Sequence, residues 1–409
     1  MISTTSLCLP PPHTPRKNMG LAPYFSTVTS ESVFRARFQA EKARPFSELH
    51  HVAASNWGRS HLLACRVLRR EPVRQILPIL SDYTIPSDVH PSSSDEIRAF
   101  LNGPDPTFTT QSEHYLVRRS NNVTTLGQIW AALATFVGSP DRRSRDLSGT
   151  PEGDEFDDDH YIEVEPRPTR FRCNSIQDNF LDSSRIQIGS SSPLHDSSQR
   201  TPSSLGYVDS DSHLLGVAPE DETLRLASCV IRHILYFAPP QDSLTEPTVV
   251  EFCDAKTRLA ASTIVGQRSI VAIDDSSLCL RRQEPGRGFI AVKDRIALLE
   301  AKTQFQCLEN GRPIISDSCL AQMVCEALAA RLLDFVQGSH QSVIVINATQ
   351  HYMCFLQFDI SDEYILDFED ESSANFLHVS STAWYDISQR SGREHVLANI
   401  CAIMRLARA

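Results

Sequence analysis

From residue 214 onward the apolar residues change their period several times along the chain. The segment APEDETLRLASCVIRHILYFAPP carries acids in its first turn, repeats apolar residues at positions 224, 227, 231 and 234, and stops at Pro239 and Pro240. These are signals of an amphipathic helix. The runs TVVEF, RSIVAI and SLCLRR are typical of strands, whereas SDSCLAQMVCEALAARLLDFV is apolar nearly all round, as in a buried helix. With the strands SVIVINA and YMCFLQF and the helical GREHVLANICAIMRLA, this order predicts an α/β fold with a mixed central sheet flanked by helices.

The rest of the chain divides by composition. Residues 1–45 are expected to be disordered, and residues 46–138 to form a small, mostly helical region. Residues 139–213 are rich in Ser, Asp, Pro and Arg and bury too little apolar area to offset the entropy of ordering, so they are expected to form a disordered linker. Their acidic run at 154–159 lacks the fixed glycine of a calcium loop and is interpreted as solvated. One packed domain, residues 214–409, is therefore expected.

Charge and cysteine usage limit the partners and the compartment. The chain carries 39 Lys and Arg against 50 Asp and Glu, a net charge of −11, so the molecule as a whole is not a non-specific polyanion binder. Its 11 cysteines form no C-x-x-C pair and lie mostly in apolar runs, which suits reduced thiols. No apolar stretch approaches the roughly 20 residues of a membrane span, and no signal-peptide core is present. An intracellular protein without membrane contact, nuclear or cytoplasmic, is expected; the acid-free N-terminus leaves a transit peptide as an alternative.

The run RIALLEAKTQF ends in the strongest candidate for chemistry. On a strand, Glu300 and Lys302 share one face, whereas Leu299 and Ala301 point to the other. A hairpin that turns at EPGRG pairs residues whose numbers average near 287 or 288, which places Asp275 opposite Glu300. Two carboxylates brought together repel unless a hard cation or a shared proton lies between them. The pattern therefore predicts a divalent metal site with Lys302 beside it.

Three nearby acids compete with this assignment. Asp294 lies six positions before Glu300, roughly 20 Å along an extended strand, and is too far away to share a small site. Asp274 is the alternative ligand, although its side chain would point to the other face of the strand. The triplet Asp254-Ala255-Lys256 also ends an apolar run, but without a comparable upstream acid, and is interpreted as a chance match. A strand-end ion pair between Glu300 and Lys302 without function is a further alternative.

Together these residues resemble the PD-(D/E)XK nuclease-like superfamily, including its fungal-type members, over residues 214–345. The resemblance implies a restriction-endonuclease-like core and Mg²⁺ or Mn²⁺ as the cofactor. It also implies a role for each matching residue: Asp275 and Glu300 as metal ligands, Glu220 as an accessory metal-binding acid of the first helix, Lys302 as the catalytic lysine and Gln322 as the polar residue of the second helix. The chain departs from the family pattern because no proline precedes the aspartate in AIDDSS.

The implied function is metal-dependent hydrolysis of phosphodiester bonds in nucleic acid, with DNA and RNA both open. One basic cluster lies on the predicted hairpin and is the candidate contact to a nucleic-acid backbone: Arg281, Arg282, Arg287, Lys293 and Arg295. Residues 214–409 nevertheless carry 17 Lys and Arg against 25 Asp and Glu, which is an unfavourable field for phosphates. A nuclease-like fold kept only for binding, without turnover, is therefore an alternative.

A second alternative comes from the segment SVIVINATQHYMCFLQFDISDEYILDFEDES. It is similar to the His-aromatic strand of ubiquitin-like-protein cysteine proteases, with His351 as the base and Asp367 or Asp370 as its orienting acid. The downstream cysteine, Cys401, lies in the apolar run ANICAIMRLA and lacks the sequence context of that family. This alternative requires a thiol within hydrogen-bond reach of His351.

Overall fold

The computed structural model describes residues 22–73, 75–84, 94–119, 124–138, 220–303, 305, 308–309, 312–335, 341–370 and 374–409. Its helices are α1 (Tyr24–Thr27), α2 (Glu31–Ala40), α3 (Arg59–Ala64), α4 (Asp95–Asn102), α5 (Glu113–Arg119), α6 (Thr124–Val137), α7 (Glu220–Phe237), α8 (Asp317–Asp334), α9 (Asp362–Leu366) and α10 (Arg390–Arg408). Its strands are β1 (Val67–Arg69), β2 (Thr248–Cys253), β3 (Arg258–Ser262), β4 (Ser269–Ile273), β5 (Ser276–Glu284), β6 (Gly288–Lys302), β7 (Leu308–Glu309), β8 (Arg312–Pro313), β9 (Ser342–Thr349), β10 (Tyr352–Asp359), β11 (Leu377–Ser381) and β12 (Tyr385–Asp386).

The centre of the described fold is a mixed sheet in the order β1-β11-β10-β9-β6-β5-β2, with β12 pairing to β10. Strands β1 and β11 are parallel, as are β6 and β9, whereas the other neighbouring pairs are antiparallel. The short hairpins β3–β4 and β7–β8 pair separately. The predicted α/β fold with a mixed sheet flanked by helices is confirmed.

Helices cover both faces of the sheet and divide the buried side chains into two cores. Leu299 packs in the first core, with α4, α6, α7 and α10, whereas Leu298 packs in the second core, with α1, α2, α3, α8 and α9. Burying one such leucine stabilises the fold by about 1.5–3 kcal/mol relative to leaving it exposed. The alternation along β6 directs Glu300 and Lys302, like Leu298, towards the second core and α8.

Helices α7 and α8 form for the reasons that their sequences suggest. The acids of the first turn of α7 lie near the positive end of the helix dipole, and Leu226, Val230 and Ile234 form its buried stripe. The Ser316 hydroxyl accepts a hydrogen bond from the Cys319 backbone N–H and caps α8, which is buried around most of its circumference. Both helices therefore present polar side chains to the sheet from fixed positions.

The N-terminal segment is part of the packed structure. The backbone N–H of Tyr24 donates to Asp317 Oδ1 at 2.7 Å, and the Tyr24 hydroxyl donates to the carbonyl of Val67 at 2.7 Å. The prediction of disorder through residue 45 is therefore wrong from residue 22 onward, because long-range contacts of Tyr24 and Phe34 outweigh the polar local composition. Residues 1–21 and the predicted linker at 139–213 lie outside the described residues.

The β5–β6 hairpin shifts its register between its turn and its open end. Near the turn Glu284 pairs with Gly288, but at the open end Ser276 pairs with Leu299, because two irregularities between Leu278 and Arg281 add residues to β6. Gly286 and Gly288 have φ angles of 77° and 76°, which glycine adopts without strain. The predicted pairing, in which the numbers of opposite residues average near 287 or 288, is correct at the open end, and only because of these irregularities.

No helix in the described part of the chain has both the length and the hydropathy to cross a membrane.

Candidate active site at the open end of the β5–β6 hairpin

The residues singled out from the sequence meet at one end of the sheet. Strand β6 ends at Lys302, and the Asp275 N–H donates to the Leu299 carbonyl at 3.3 Å, which extends the β5–β6 pairing by one residue. Asp275, Glu300 and Lys302 are buried, with 1%, 0% and 3% of their surfaces exposed, and Gln322 of α8 is buried beside them. The pairing thus brings Asp275 to the position opposite Glu300.

Glu300, Lys302 and Gln322 form one hydrogen-bonded network. The Lys302 ammonium forms an ion pair with Glu300 Oε1 and donates to Gln322 Oε1 at 3.0 Å. The amide nitrogen of Gln322 donates to Glu300 Oε1 at 2.7 Å and to Glu326 Oε1 at 3.2 Å. The side-chain oxygen of Gln322 therefore faces a cation and its nitrogen faces two carboxylates, which orients the amide.

Asp275 accepts from a backbone N–H and pairs with a second lysine. Its Oδ2 accepts from the Ala301 backbone N–H at 2.9 Å, and its Oδ1 pairs with the Lys256 ammonium at 2.9 Å. Its charge is one of the causes that raise the pKa of Glu300, so the two carboxylates lie within electrostatic reach of each other. The second lysine neutralises Asp275 much as Lys302 neutralises Glu300.

Lys256 belongs to the triplet that was interpreted as a chance match, and that interpretation misses its contact. Strand β2 is antiparallel to β5, with Cys253 opposite Ser277, so the residues after Cys253 reach the open end of the hairpin. Burial lowers the pKa of Lys256, but the hydrogen bond to Asp275 and the charges of Asp275, Glu220 and Glu300 together raise it above its usual value. Its side chain is 36% exposed, far more than that of Lys302. The acid-x-Lys spacing did mark Lys256 as a candidate, but only the β2–β5 register shows that Lys256 reaches Asp275.

Glu220 and Asp274 occupy different places around the site. The charge of Glu220, at the start of α7, helps to raise the pKa of both Lys256 and Lys302, and Thr223 Oγ1 fixes this end of α7 by donating to the Lys302 carbonyl at 3.1 Å. Asp274 Oδ1 instead accepts from the Thr257 backbone N–H at 2.6 Å. Asp274 thus fixes the chain beside β3, and Asp275 is the aspartate of the cluster.

Glu326 is a buried acid that sequence reasoning did not select. It lies one helical turn after Gln322, and burial raises its pKa well above the usual range. Burial likewise raises the pKa of Glu300 to about 8, against the opposing charge of Lys302. A helix residue inside an apolar run gives no local signal of this neighbourhood, because Glu300, whose charge also raises the pKa of Glu326, lies on a strand 26 residues earlier in the sequence.

The donor set fits a hard cation in part. Among the described residues, Glu300 Oε2, Glu326 Oε2 and Asn347 Oδ1 are buried oxygens without a hydrogen-bond partner, and Asn347 pairs with Glu300 across β6 and β9. Buried acceptors of this kind call for a proton or a cation. The part of the chain that the structure describes contains no group of three or more His, Cys, Asp or Glu side chains arranged to hold a metal ion. A cation here would therefore complete its coordination with water or substrate, as Mg²⁺ commonly does.

The predicted basic cluster does not lie beside these carboxylates. Arg295 is seven residues before Lys302 on β6, on the order of 23 Å along the strand. Arg281 pairs with Glu251 at 2.8 Å, and Arg295 pairs with Asp334 at 2.8 Å. Arg287 lies 3.8 Å from Glu284. Carboxylates thus already pair with three members of the cluster, and the hairpin does not bring the cluster to the site.

His351 has a different acidic neighbour from the one expected. Its Nε2 lies 3.6 Å from Asp386 Oδ1, whereas Asp367 and Asp370 both contact Arg66. The expectation of Asp367 or Asp370 as the orienting acid is therefore wrong, because the turn after β9 directs the histidine towards β12.

Cys401 lies in the first core, and burial raises the pKa of its thiol to about 12. Such a thiol is a poor nucleophile at neutral pH. The arrangement does not favour the cysteine-protease alternative.

Comparison of the chain with protein-family models and with curated proteins gave no match.

Proposed function

We propose that this protein is a metal-dependent phosphodiester hydrolase of the PD-(D/E)XK type, with a restriction-endonuclease-like core and nucleic acid as its substrate. The observation that supports the proposal is the meeting of Asp275, Glu300 and Lys302 at the open end of one hairpin, with Gln322 bonded to two of them. A strand-end ion pair alone would not require the aspartate, the glutamine and a second lysine at the same place.

Asp275 and Glu300 would hold Mg²⁺ or Mn²⁺, and Glu220 would contribute an accessory carboxylate. When bound, the cation would polarise a phosphoryl oxygen and favour ionisation of a water molecule. Lys302 supplies a positive charge that stabilises the charge growing on the phosphate, and Gln322 orients both Lys302 and Glu300. Lys256 is a second cation within the same group.

The exposure of the side chains around the site indicates the side from which substrate would approach. Glu300 and Lys302 are almost completely buried, whereas Lys256 is partly exposed and Glu220 is half-buried. A phosphate would therefore reach the site past Lys256 and the start of α7. This path does not involve the basic cluster of the hairpin.

A nuclease-like module that binds without turnover is the second candidate. Complete burial of the Glu300–Lys302 pair favours it, because a group that cleaves a polymer must meet the phosphate. The negative charge of residues 214–409 favours it as well.

The experiment compares wild type, Glu300→Gln, Lys302→Ala and the matched control Asp294→Asn, which alters an exposed acid of the same strand. Melting temperature is measured against Mn²⁺ concentration, and cleavage is assayed on single- and double-stranded DNA and RNA. At 100 times its Kd, Mn²⁺ should stabilise the folded wild type by about 2.7 kcal/mol. Glu300→Gln should lose this effect, and Asp294→Asn should retain it.

Lys302→Ala should retain Mn²⁺ binding and lose turnover, because it removes a charge and no metal ligand. A Mn²⁺-dependent shift without cleavage of any substrate would favour the binding module. An unchanged melting temperature at millimolar Mn²⁺, together with no cleavage, would contradict the proposal.

A further inference from the structure

Two thiols lie side by side on neighbouring strands, close to the candidate site. Cys253 Sγ is 2.9 Å from Cys279 Sγ. Cys279 pairs with Glu251 and Cys253 pairs with Ser277, so the two cysteines are diagonal neighbours on one face of the sheet. A disulfide has an S–S distance of about 2.05 Å, so the sulfurs need to approach by roughly 0.9 Å to form a bond.

The surroundings of this pair differ from those of the other described cysteines. The hydrogen bond from the Cys253 thiol lowers the pKa of Cys279 to about 6, with help from Arg281 and against the effect of burial. Burial raises the pKa of Cys319, Cys354 and Cys401 to about 12. Since the thiolate is the reactive form, the pair is the reactive thiol site among these cysteines.

A small oxidant can reach the pair from one side. Cys253 lies at the end of β2, the last strand of the described sheet, and is half-buried, whereas Cys279 is 3% exposed. Glu251 and Arg281, on the same face, are more than a third exposed. The accessible sulfur is therefore Cys253, and the sulfur behind it is Cys279.

We propose that Cys253 and Cys279 form a thiol-disulfide site that a small-molecule disulfide, such as glutathione disulfide, oxidises to an intramolecular disulfide. The pair shares one proton, which lies on Cys253 and is donated to the Cys279 thiolate. When this proton shifts to Cys279, the Cys253 thiolate so formed attacks one sulfur of the oxidant, and the first glutathione leaves as a thiolate. Cys279 then loses its proton to solvent and attacks the Cys253 sulfur, which breaks the mixed disulfide and releases the second glutathione. Two protein thiols are oxidised, and one small disulfide is reduced to two thiols.

The disulfide would form at the same end of the sheet as the candidate site, and its formation does not require the proposed function. Lys256 follows Cys253 by three residues and contacts Asp275. A disulfide would tie the end of β2 to β5 and fix the start of the segment that carries Lys256.

The test treats the full-length wild type with millimolar glutathione disulfide, blocks free thiols by alkylation and maps peptides without reduction by mass spectrometry. The expected product is a Cys253–Cys279 linked peptide within a chain lighter by two hydrogen atoms. At neutral pH, alkylation of the pair should be at least about tenfold faster than that of Cys401. Because this measurement uses the wild type, it does not depend on the folding of any variant.

Two substitutions and one control sharpen the result. Cys279→Ser should accumulate the mixed disulfide on Cys253, whereas Cys253→Ser should form neither product at Cys279 at a comparable rate. Cys401→Ser should form the Cys253–Cys279 bridge as the wild type does. Absence of the linked peptide from oxidised wild type, or a bridge between other cysteines in equal amount, would overturn the proposal.

Discussion

At the scale of single residues, two lysines neutralise two carboxylates in very different surroundings. The Lys302 side chain is 4% exposed and pairs with a fully buried glutamate, whereas Lys256 is 36% exposed and pairs with an aspartate that also binds a backbone N–H. Solvent screens the outer pair, but not the inner one. The two ion pairs should therefore differ in their contribution to stability.

Lys302→Met should destabilise the folded protein by about 3 kcal/mol, because it leaves Glu300 buried without its cation. Lys256→Met should cost less, about 1–2 kcal/mol, because solvent reaches the Lys256 ammonium and Asp275 keeps the hydrogen bond from the Ala301 backbone N–H. Urea unfolding of both variants at neutral pH measures the difference. An equal loss of unfolding free energy in the two variants would show that the buried Glu300–Lys302 pair contributes no more to stability than the Lys256–Asp275 pair.

At the scale of elements, His233 joins three helices. It lies on α7, its Nδ1 is 2.9 Å from the hydroxyl of Thr125 on α6, and its Nε2 is 3.2 Å from the carbonyl of Glu96 on α4. Burial lowers its pKa from 6.5 to about 4. The packing of these helices thus requires a neutral imidazole.

Protonation should weaken this junction. The pKa of His233 is lower in the folded than in the unfolded state, so its contribution is present above about pH 6.5 and is lost as the pH falls towards 4. The maximal loss is of the order of 3 kcal/mol. His233→Gln should show a smaller fall in unfolding free energy between these pH values than the wild type. The control His114→Gln, which changes an exposed histidine, should show the same fall as the wild type. An unchanged pH profile in His233→Gln would contradict the assignment.

The sequence was informative where the determinants were local. The period of the apolar residues identified α7, α8 and the strands around them. The turn at Gly286 identified the hairpin, but Asp275 lies opposite Glu300 only because of the irregularities between Leu278 and Arg281, which the sequence did not reveal. Lys256 and Glu326 were missed because their surroundings depend on the β2–β5 register and on the packing of α8 against β6. Such contacts are set by the fold as a whole and do not appear in the period of the apolar residues along the sequence.

At the scale of the whole molecule, residues from both sides of segment 139–219 build each core. Helices α4 and α6 share the first core with α7 and α10, and β1 extends the sheet by pairing with β11. The division into a helical region at 46–138 and a separate domain at 214–409 therefore does not match the packing. Neither part buries its apolar surface alone.

A fragment of residues 220–409 should for this reason fail to unfold cooperatively. It lacks the partners of α7 and the strand beside β11, and it exposes the apolar side chains that these cover. Thermal unfolding followed by circular dichroism tests the fragment alone and after mixing with residues 1–138, which should restore a cooperative transition. A cooperative transition of the fragment alone, at the full-length melting temperature, would show that it is an independent domain.

The pairing of β1 with β11 also sets an order of events during synthesis. Arg66, just before β1, donates to the carbonyl of Asn375, 309 residues further along the chain. At about 5–20 residues per second, translation of that interval takes roughly 15 to 60 seconds. During this time Val67 and Leu68 have emerged from the ribosome but lack their final neighbour, and a chaperone that binds short apolar segments can occupy them until β11 arrives.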